Sequence, residues 1–399
     1  METTSLDLKT PIENSKKRRQ RLGQYFTVSE ILQKKIHEFI LNNPQRILEP
    51  SVGRGNLVDY IKHKNNNILF DMFEIDKTLD VLSTVNKDDI IYEDFLKYSI
   101  RCKYKTIIGN SPYVKQKKGN MFLAFIDKCF EILEDNGELI FIVPSNLFQL
   151  TGAQKLLNKM MTYGCFTHIY HPHKENLFED ASIDVMIFRY CKNPTLNKQV
   201  IYNSITKYID NHNGCITITD TERKQDGFYI KDYFDVFVGM VSGKEDVFKH
   251  KELGNIQVLT TENNKESYIY ITTFPSGNKD IDTYLRNHKD ILKERHIKKM
   301  TEDNWFEWGA PRNIKKMEDF KNTDCIYVYN ITRKSKIAFK GKIEYFGGNL
   351  IAMKPKKTCD LNKIVEFLNR EEFKSRFEFS GRFKISHNIL CNTYISNIL

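Results

Sequence analysis

Hydrophobic and polar positions in the first half of the chain follow a pattern typical of alternating strands and helices. Short apolar runs bounded by turn residues predict buried strands, and apolar residues three and four positions apart predict amphipathic helices. The predicted strands are Arg46–Glu49, Ile68–Phe73, Ile90–Tyr92, Tyr104–Ile108, Glu138–Val143, Cys165–Tyr170 and Ser182–Tyr190. The predicted helices cover Ile31–Ile40, Leu57–His63, Met121–Leu133 and Thr151–Tyr163. This alternation predicts a doubly wound α/β sheet with helices on both faces, and the last strand is expected to return at the sheet edge.

The α/β alternation is lost beyond about residue 200. Residues 193–214 are polar and rich in turn residues, and short β-like runs separated by basic segments follow them. The basic segments are Arg286–Lys299, Arg312–Lys316 and Arg333–Lys336. We therefore expect a basic flexible lead-in over residues 1–20, an α/β domain over residues 21–200 and an α+β domain over residues 201–399.

Composition narrows the class of protein. A chain of 399 residues, 40% of them hydrophobic, is long enough for two domains with separate cores. The formal net charge of +10 fits either simple solubility or a polyanionic partner such as nucleic acid. The eight cysteines lie singly, without a CxxC pair, which favours a reduced cytoplasmic protein. No apolar run approaches the roughly 20 residues that span a bilayer, so we expect no membrane contact.

The predicted strand Tyr104–Ile108 ends in the turn Gly109-Asn110-Ser111-Pro112-Tyr113. In open α/β sheets, ligands bind at the carboxyl ends of the strands. The turn presents an amide and an aromatic ring at that position. It is therefore the first candidate for a ligand-binding or catalytic site.

Three upstream turns carry residues suited to a nucleoside. Gly53 and Gly55 follow the first strand and let the backbone approach a ligand closely. Glu74 comes about 20 positions later, which is the spacing of an acidic residue that binds ribose hydroxyls. Asp94 and Phe95 offer a carboxylate for an amino group and a ring for a flat base, although a loop cap and core packing are alternatives.

Thr27 has two interpretations that do not exclude each other. With Glu30 three residues later it has the sequence of a capping box, which predicts that Thr27 is the N-cap of the first helix. A helix N-terminus is also a binding site for a small carboxylate. Thr27 is thus a candidate both for local structure and for ligand binding.

These motifs, in this order, resemble the amino-terminal half of the gamma-class DNA adenine-N6 methyltransferases of restriction-modification systems, the TaqI-like type. The resemblance is carried by Gln24-Tyr25-Phe26-Thr27, Leu48-Glu49-Pro50-Ser51-Val52-Gly53-Arg54-Gly55, Phe73-Glu74-Ile75-Asp76, Asp94-Phe95, Asn110-Ser111-Pro112-Tyr113 and Asn176-Leu177-Phe178. It implies a Rossmann-like S-adenosylmethionine domain followed by a target-recognition domain. A looser likeness in the second half rests on Val236–Gly243, Trp305–Gly309 and Gly381–Lys384.

The resemblance implies a set of residues that bind S-adenosylmethionine. They are Tyr25, Phe26, Thr27, Glu49, Ser51, Gly53, Gly55, Glu74, Ile75, Asp94, Phe95 and Asn110. The first three would lie at the methionine end, and the next four would hold the amino-acid part and the backbone of the cofactor. Glu74 would accept hydrogen bonds from the ribose, Ile75 would pack on the adenine, Asp94 would accept from its amino group and Phe95 would cover its face.

The resemblance also implies that Asn110, Ser111, Pro112 and Tyr113 form the catalytic turn. The Asn110 side-chain oxygen and the backbone carbonyl of Ser111 would each accept one N–H of the target amino group, which frees its nitrogen lone pair for attack. Phe178 would be a second aromatic wall for a base that has left the duplex. The family usually has proline where Ser111 stands. Because serine supplies the same carbonyl but not a fixed φ angle, we expect retained activity with a looser turn.

The expected cofactor is S-adenosylmethionine, and the expected partner is double-stranded DNA, bound by a monomer. A cognate restriction endonuclease would share the recognition site without direct contact. Alternatives are methylation of cytosine-N4, RNA or a protein glutamine, and a DNA-binding homologue without catalysis. Asparagine at position 110 favours adenine over cytosine, and the basic second half argues against a small protein substrate. No metal site is expected, although His168, His171 and His173 leave a metal interpretation open.

Overall fold

The structure is a computed structural model that describes residues 22–116, 119–178, 182–196, 198–222, 227–379 and 381–395. The predicted lead-in over residues 1–20 lies outside the described residues. The chain divides into two compact units, Met1–Arg223 and Lys224–Leu399. Within the described residues, no helix is both long enough and apolar enough to cross a membrane.

The first unit is built on a ten-stranded sheet with the order β12-β11-β10-β8-β9-β7-β4-β1-β2-β3. The strands of this unit are β1 (Arg46–Glu49), β2 (Leu69–Phe73), β3 (Ile90–Ile91), β4 (Tyr104–Asn110), β5 (Lys115–Gln116), β6 (Gly119–Asn120), β7 (Leu133–Pro144), β8 (Cys165–Tyr170), β9 (Val185–Cys191), β10 (Gln199–Tyr202), β11 (Ile205–His212) and β12 (Cys215–Thr219). Strands β5 and β6 form a separate ribbon. Strands β3, β2, β1, β4 and β7 are parallel, so their carboxyl ends lie at one edge.

Helices cover both faces of this sheet. They are α1 (Glu30–Phe39), α2 (Asn56–Lys64), α3 (Met121–Glu131) and α4 (Gln154–Tyr163). Successive side chains of a strand point to opposite faces, so Ile107 packs with residues of α3 and α4, whereas Ile108 packs with residues of α1 and α2. The near-continuous apolar run of β7 serves both cores in the same way. The predicted α/β sheet with helices on both faces is confirmed.

Two expectations about this sheet are corrected. The return strand β9 was expected at the edge, but it lies antiparallel between β7 and β8, and all seven of its residues are buried. The boundary expected at residue 200 falls inside β10, which pairs parallel with β8 and begins a three-stranded extension of the sheet. Residues 193–214 are rich in turn residues because the hairpins there need residues with positive φ, such as Asn203 and Asn213.

The second unit is α+β. Its strands are β13 (Phe228–Tyr229), β14 (Phe234–Val238), β15 (Ile256–Thr261), β16 (Asn264–Tyr268), β17 (Asp324–Tyr329), β18 (Ile331–Thr332), β19 (Ala338–Lys342), β20 (Leu350–Pro355), β21 (Glu378–Phe379), β22 (Arg382–Lys384) and β23 (Tyr394–Ile395). Its helices are α5 (Ile230–Tyr233), α6 (Glu245–Phe248), α7 (Lys279–Asn287), α8 (Lys289–Lys293), α9 (Ile314–Asp319), α10 (Leu361–Leu368), α11 (Glu371–Lys374) and α12 (His387–Cys391). The antiparallel sheet β14-β20-β17-β19 is its largest.

Aromatic residues of the motif Trp305–Gly309 belong to the core of this unit. Trp308 is buried, and its Nε1 donates to the carbonyl oxygen of Ile269 at 2.9 Å. The buried Arg295 donates to the carbonyl oxygens of Ser242 and Trp305, at 2.9 and 2.6 Å. Burial lowers the pKa of the Arg295 guanidinium to about 10. Although Arg295 lies in a basic segment of the sequence, its buried guanidinium stabilises the core and is not part of an exposed basic surface.

Candidate active site

The side chain of Asn110, the last residue of β4, is held in one orientation by three hydrogen bonds. Its Nδ2 donates to the carbonyl oxygen of Tyr25 at 2.7 Å and to Thr27 Oγ1 at 3.1 Å. A carbonyl oxygen can only accept, so the amide nitrogen must face Tyr25. On the other side, the Tyr113 hydroxyl donates to Asn110 Oδ1 at 2.7 Å. The amide oxygen is thus directed away from the segment that contains Tyr25.

Thr27 does not cap the first helix, so the predicted capping box is not formed. The N-cap of α1 is Ser29, and no side chain bonds to the free N–H groups of that end. The Thr27 hydroxyl instead accepts from Asn110, and the buried Thr27 side chain lies in the site. The side chain of Thr27 thus makes a tertiary hydrogen bond with Asn110 instead of a local capping hydrogen bond at the start of α1.

Ser111, the residue that departs from the family pattern, is 1% exposed. Its Oγ is buried and has no hydrogen-bond partner among the described residues. A buried hydroxyl without a partner costs about 1–3 kcal/mol. The Ser111 hydroxyl therefore gives the turn no stabilising hydrogen bond among the described residues. In this respect serine has no advantage over the usual proline.

Replacement of Ser111 by alanine should raise the free energy of unfolding by about 1 kcal/mol, because it removes an unpaired buried hydroxyl. The backbone carbonyl of residue 111 is retained in this variant. Urea unfolding of the purified chain measures the change in stability. The matched control is Ser145→Ala, which deletes a hydroxyl that donates to Asp184 and should lower stability. A stability loss in Ser111→Ala would show that the hydroxyl has a partner.

Three aromatic side chains meet beside the Asn110 amide. The rings of Tyr25 and Tyr113 stack at 5.6 Å between centroids, with 28° between their planes. Phe178 lies 5.8 Å from the Tyr25 ring and 6.5 Å, edge-on, from the Tyr113 ring. Burial raises the pKa of the Tyr113 hydroxyl well above its usual value, so this group stays a hydrogen-bond donor. The structure thus brings together the two predicted base walls, Tyr113 and Phe178, and adds Tyr25.

An open pocket lies next to these residues. Its lining is formed by Tyr25, Phe26, Thr27, Glu49, Ser51, Val52, Gly53, Asn56, Leu57 and Asn110. Seven of these ten residues were predicted from the sequence. Val52, Asn56 and Leu57 were missed, although their places in the turn and at the start of α2 could have indicated them. Such a helix start presents free backbone N–H groups, which suit an anion.

Glu49, the last residue of β1, is an unusual member of this lining because it is 1% exposed. Its Oε1 accepts from the backbone N–H of Ser51 at 3.4 Å, whereas its Oε2 has no partner among the described residues. Burial raises the pKa of the Glu49 carboxyl well above its usual value. A buried acidic oxygen without a partner, at the wall of a pocket, is suited to a ligand that carries hydrogen-bond donors or positive charge.

Glu74, at the end of β2, organises the backbone around the pocket. Its Oε2 accepts from the backbone N–H of Gly53, and its Oε1 accepts from those of Ile75 and Asp76, all at 2.9 Å. Burial raises its pKa, although these hydrogen bonds oppose the shift. Gly53 has φ +56°, and a Cβ there would lie 3.3 Å from the Phe26 ring. Glu74 therefore holds a turn that requires glycine.

Asp94 and Phe95 have local roles in the structure. Asp94 accepts from the backbone N–H of Leu96 at 3.0 Å, as in a loop cap, and lies 3.3 Å from Lys97 Nζ. Phe95 is buried in the core, where its ring stacks on Phe125 at 5.3 Å. The structure does not bring either side chain into the pocket. The contacts of Asp94 and Phe95 with the adenine of the cofactor stay predictions. The contacts expected between the cofactor and Gly55, Glu74 and Ile75 also stay predictions.

The histidines near β8 do not form a metal site. Across the described ranges, no group of three or more His, Cys, Asp or Glu side chains is arranged to hold a metal ion. His171 instead lies 2.8 Å from the Asp184 carboxylate, and the His173 ring lies 3.8 Å from the His171 ring.

Comparisons with known proteins find similarity to restriction-modification methyltransferases. Residues 56–178 match the family of the Eco57I restriction-modification methylase. The chain is 29% identical over 208 residues to the type II methyltransferase M.HincII of Haemophilus influenzae, covering 47% of this chain and 40% of that protein. It is 32% identical over 159 residues to the ribosomal RNA small subunit methyltransferase A of Flavobacterium johnsoniae, covering 37% of this chain and 56% of that protein. The chain thus spans less than two thirds of the length of these relatives.

The fold has a counterpart among solved structures. The type IIL restriction-modification enzyme MmeI, solved in complex with DNA, aligns with 95% of this chain and 69% of its own, at a TM-score of 0.63 and 10% identity. At this identity the likeness shows the fold, and it agrees with the predicted fold class. The similarity to restriction-modification methyltransferases is consistent with the predicted cofactor, S-adenosylmethionine. Assignment to the gamma class and to the adenine N6 atom stays a prediction.

Proposed function

We propose that this protein transfers a methyl group from S-adenosylmethionine to the N6 amino group of an adenine rotated out of duplex DNA, as the modification half of a restriction-modification system. The observation that carries the proposal is the Asn110 amide, whose nitrogen is tied to Tyr25 and Thr27. Because both N–H groups are used, only the oxygen can meet a substrate, and it can only accept. A substrate that donates N–H groups, such as an exocyclic amine, fits this site.

The target nitrogen is a poor nucleophile because its lone pair is delocalised into the base. Asn110 Oδ1 accepts one bond from Tyr113 and retains a second lone pair for one N–H of the amine. The backbone carbonyl of Ser111 would accept the other N–H. Two fixed acceptors draw the nitrogen toward a tetrahedral shape, which frees its lone pair for attack. The nitrogen–carbon bond would form as the sulfur–methyl bond of the sulfonium breaks, and the methylated nitrogen would then release one proton to solvent, so no general base is needed to activate the nitrogen.

The residues of the pocket fit S-adenosylmethionine. The partnerless Glu49 Oε2 suits its positively charged amino group, and the free N–H groups at the start of α2 suit its carboxylate. Gly53 leaves room for a close approach of the ligand to the backbone. When bound, S-adenosylmethionine supplies an electrophilic methyl group on its sulfonium.

Tyr25 links the pocket to the aromatic cluster, since it lines the former and stacks in the latter. A base modified at its edge must leave the duplex and be held between aromatic or apolar faces. We assign that task to Tyr113 and Phe178. Their contact with Tyr25 would bring the base close to the cofactor pocket.

We assign binding of the DNA phosphate backbone to the second unit. Arg312, Lys315 and Arg333 are exposed, and none of them forms an ion pair within the part of the chain that the structure describes. By contrast, Lys298 and Lys336 are paired with Glu307 and Glu262, both at 2.6 Å. Exposed cations without carboxylate partners are suited to phosphate groups, which position a protein on DNA.

Transfer of labelled methyl groups tests the proposal directly. Purified protein and labelled S-adenosylmethionine are incubated with unmodified bacterial genomic DNA, with ribosomal RNA and with a protein mixture. We expect label in DNA alone, and hydrolysis to nucleosides should give N6-methyladenine. RNA is the second candidate, because the chain resembles a ribosomal RNA methyltransferase. Label in RNA, or N4-methylcytosine in DNA, would contradict the assignment.

Affinity for S-adenosylmethionine should fall as the pH falls. The pKa of the Glu49 carboxyl is raised by burial, so this group becomes protonated at a higher pH than an ordinary glutamate. Only its charged form attracts the cofactor amino group. Below the raised pKa, the dissociation constant should therefore increase by about tenfold per pH unit. Titration calorimetry across the pH range measures it. Glu49→Gln should bind more weakly above that pKa and show a flatter pH profile; an unchanged profile would exclude Glu49 as the linked group.

A further inference from the structure

A buried hydrogen-bond network joins the two ends of the segment that contains Phe178 and has no part in the site described above. His171 follows β8 and Asp184 precedes β9, and they are 6% and 4% exposed. His171 Nε2 lies 2.8 Å from Asp184 Oδ1. The Ser145 hydroxyl donates to Asp184 Oδ2 at 2.8 Å, and the Tyr202 hydroxyl lies 3.1 Å from His171 Nδ1. Both ring nitrogens and both carboxylate oxygens are therefore paired.

The backbone at both positions is fixed as well. The N–H of His171 donates to Asn203 Oδ1 at 2.8 Å, and Asn203 Nδ2 donates back to the carbonyl oxygen of His171 at 2.9 Å. The N–H of Ser145 donates to the carbonyl oxygen of Asp184 at 3.0 Å. The network thus joins the ends of β7 and β8 and the turn after β10 to the start of β9.

Phe178 lies between these two anchored positions in the sequence. The described residues on its two sides, 171–178 and 182–184, are also joined to each other, because the N–H of Ile183 donates to the carbonyl oxygen of Glu175 at 3.0 Å. Beyond this segment, the Phe178 ring packs on Tyr25 and Tyr113. The two anchored positions are therefore the ends of the segment that carries this ring.

We infer that the His171–Asp184 pair is a positioning device that holds Phe178 in place as a wall for the target base. The inference rests on the proposed function, which gives Phe178 that role. Removal of either side chain would leave a buried polar atom of the other without this partner, which is destabilising. Loss of either His171 or Asp184 should loosen the segment that carries Phe178. The pocket that contains the contacts of Glu49 and Thr27 should stay unchanged.

Fluorescence quenching tests the positioning without reference to catalysis. Phe178→Trp introduces a reporter, and the signal of the two native tryptophans, Trp305 and Trp308, is subtracted with the unsubstituted chain. Adding His171→Gln should raise acrylamide quenching of the reporter by about twofold or more, because the segment opens locally. His168→Gln, on the preceding strand β8 and outside the pair, is the matched control and should change nothing. Unchanged quenching in a folded His171→Gln chain would overturn the inference.

A milder variant covers the case in which His171→Gln does not fold. Tyr202→Phe removes only the hydroxyl beside His171 Nδ1 and keeps the ring. It should increase the quenching of the reporter by a smaller amount. If quenching did not increase in a folded Tyr202→Phe chain, the positioning role of the His171–Asp184 pair would be contradicted.

A double-mutant cycle of methyl transfer distinguishes positioning from general stability. If the pair acts through Phe178, His171→Gln should lower the rate at saturating DNA in the native background and have little further effect in a Phe178→Ala background. The dissociation constant for S-adenosylmethionine should stay within about twofold in all four chains. Equal losses in both backgrounds would overturn the inference. Absence of any transfer by the native chain would contradict the proposed function, whereas the quenching result would still decide the inference.

Discussion

Replacement of Asn110 by alanine should reduce methyl transfer to DNA by about 10³-fold, because it removes an acceptor that acts on the amino group in the transition state. Affinity for S-adenosylmethionine should stay near normal. Glu49 and the start of α2, which we assign to its charged groups, do not contact the Asn110 side chain through any hydrogen bond of the described residues. Single-turnover methylation of genomic DNA and titration calorimetry measure the two quantities separately.

Two control variants separate the acceptor from its supports. Tyr113→Phe removes the donor to Asn110 Oδ1 and keeps the ring, so it should slow transfer by about tenfold or less. Thr27→Val removes one of the two acceptors that hold Nδ2 and should have an effect of similar size. A rate near normal in Asn110→Ala would exclude the amide from the chemistry. Equal losses in all three variants would assign it a structural role.

The sequence indicated residues that line the pocket but not how they meet. Asn110 follows from its position at the end of a parallel strand, where ligands bind, whereas Glu49 is implied by the family resemblance. The contact between Asn110 and Thr27 joins residues 83 positions apart. Local pattern favoured a helix cap for Thr27, since a capping box is visible within four residues. In the folded chain the Thr27 hydroxyl accepts a hydrogen bond from Asn110 instead.

Packing explains the other differences. Phe95 follows a strand like a ligand-binding residue, but its ring fills a core formed by β2 and α3, which only the folded chain brings together. The strand β9 contains a charged residue, Arg189, in the apolar run Val185–Cys191. The expectation of an edge strand rested on the apolar alternation of this segment. The charge is tolerated inside the sheet because Glu138 pairs with it.

The pair of Glu138 and Arg189 gives the largest stability effect that we expect. Glu138 is fully buried on β7, and its Oε2 accepts from Arg189 Nε at 2.8 Å. The same carboxylate accepts from the hydroxyl of Thr106 at 2.9 Å and from the backbone N–H groups of Leu41 and Asn42 at 3.0 and 3.1 Å. It thereby joins β4, β7 and β9 to the chain that follows α1. Four donors share this one carboxylate, so its loss affects all four.

Replacement of Glu138 by alanine should lower the free energy of unfolding by about 3–5 kcal/mol, because it leaves the Arg189 guanidinium buried without its counter-charge. Urea unfolding measures the change. Glu134→Ala, at an exposed position of the same strand, is the matched control and should stay within about 0.5 kcal/mol of the native chain. Replacing both partners by methionine should recover most of the loss, since a buried pair is often no more stabilising than apolar side chains of similar volume. If the double variant were no more stable than Glu138→Ala, the loss would come from the Thr106, Leu41 and Asn42 contacts rather than from the unpaired charge.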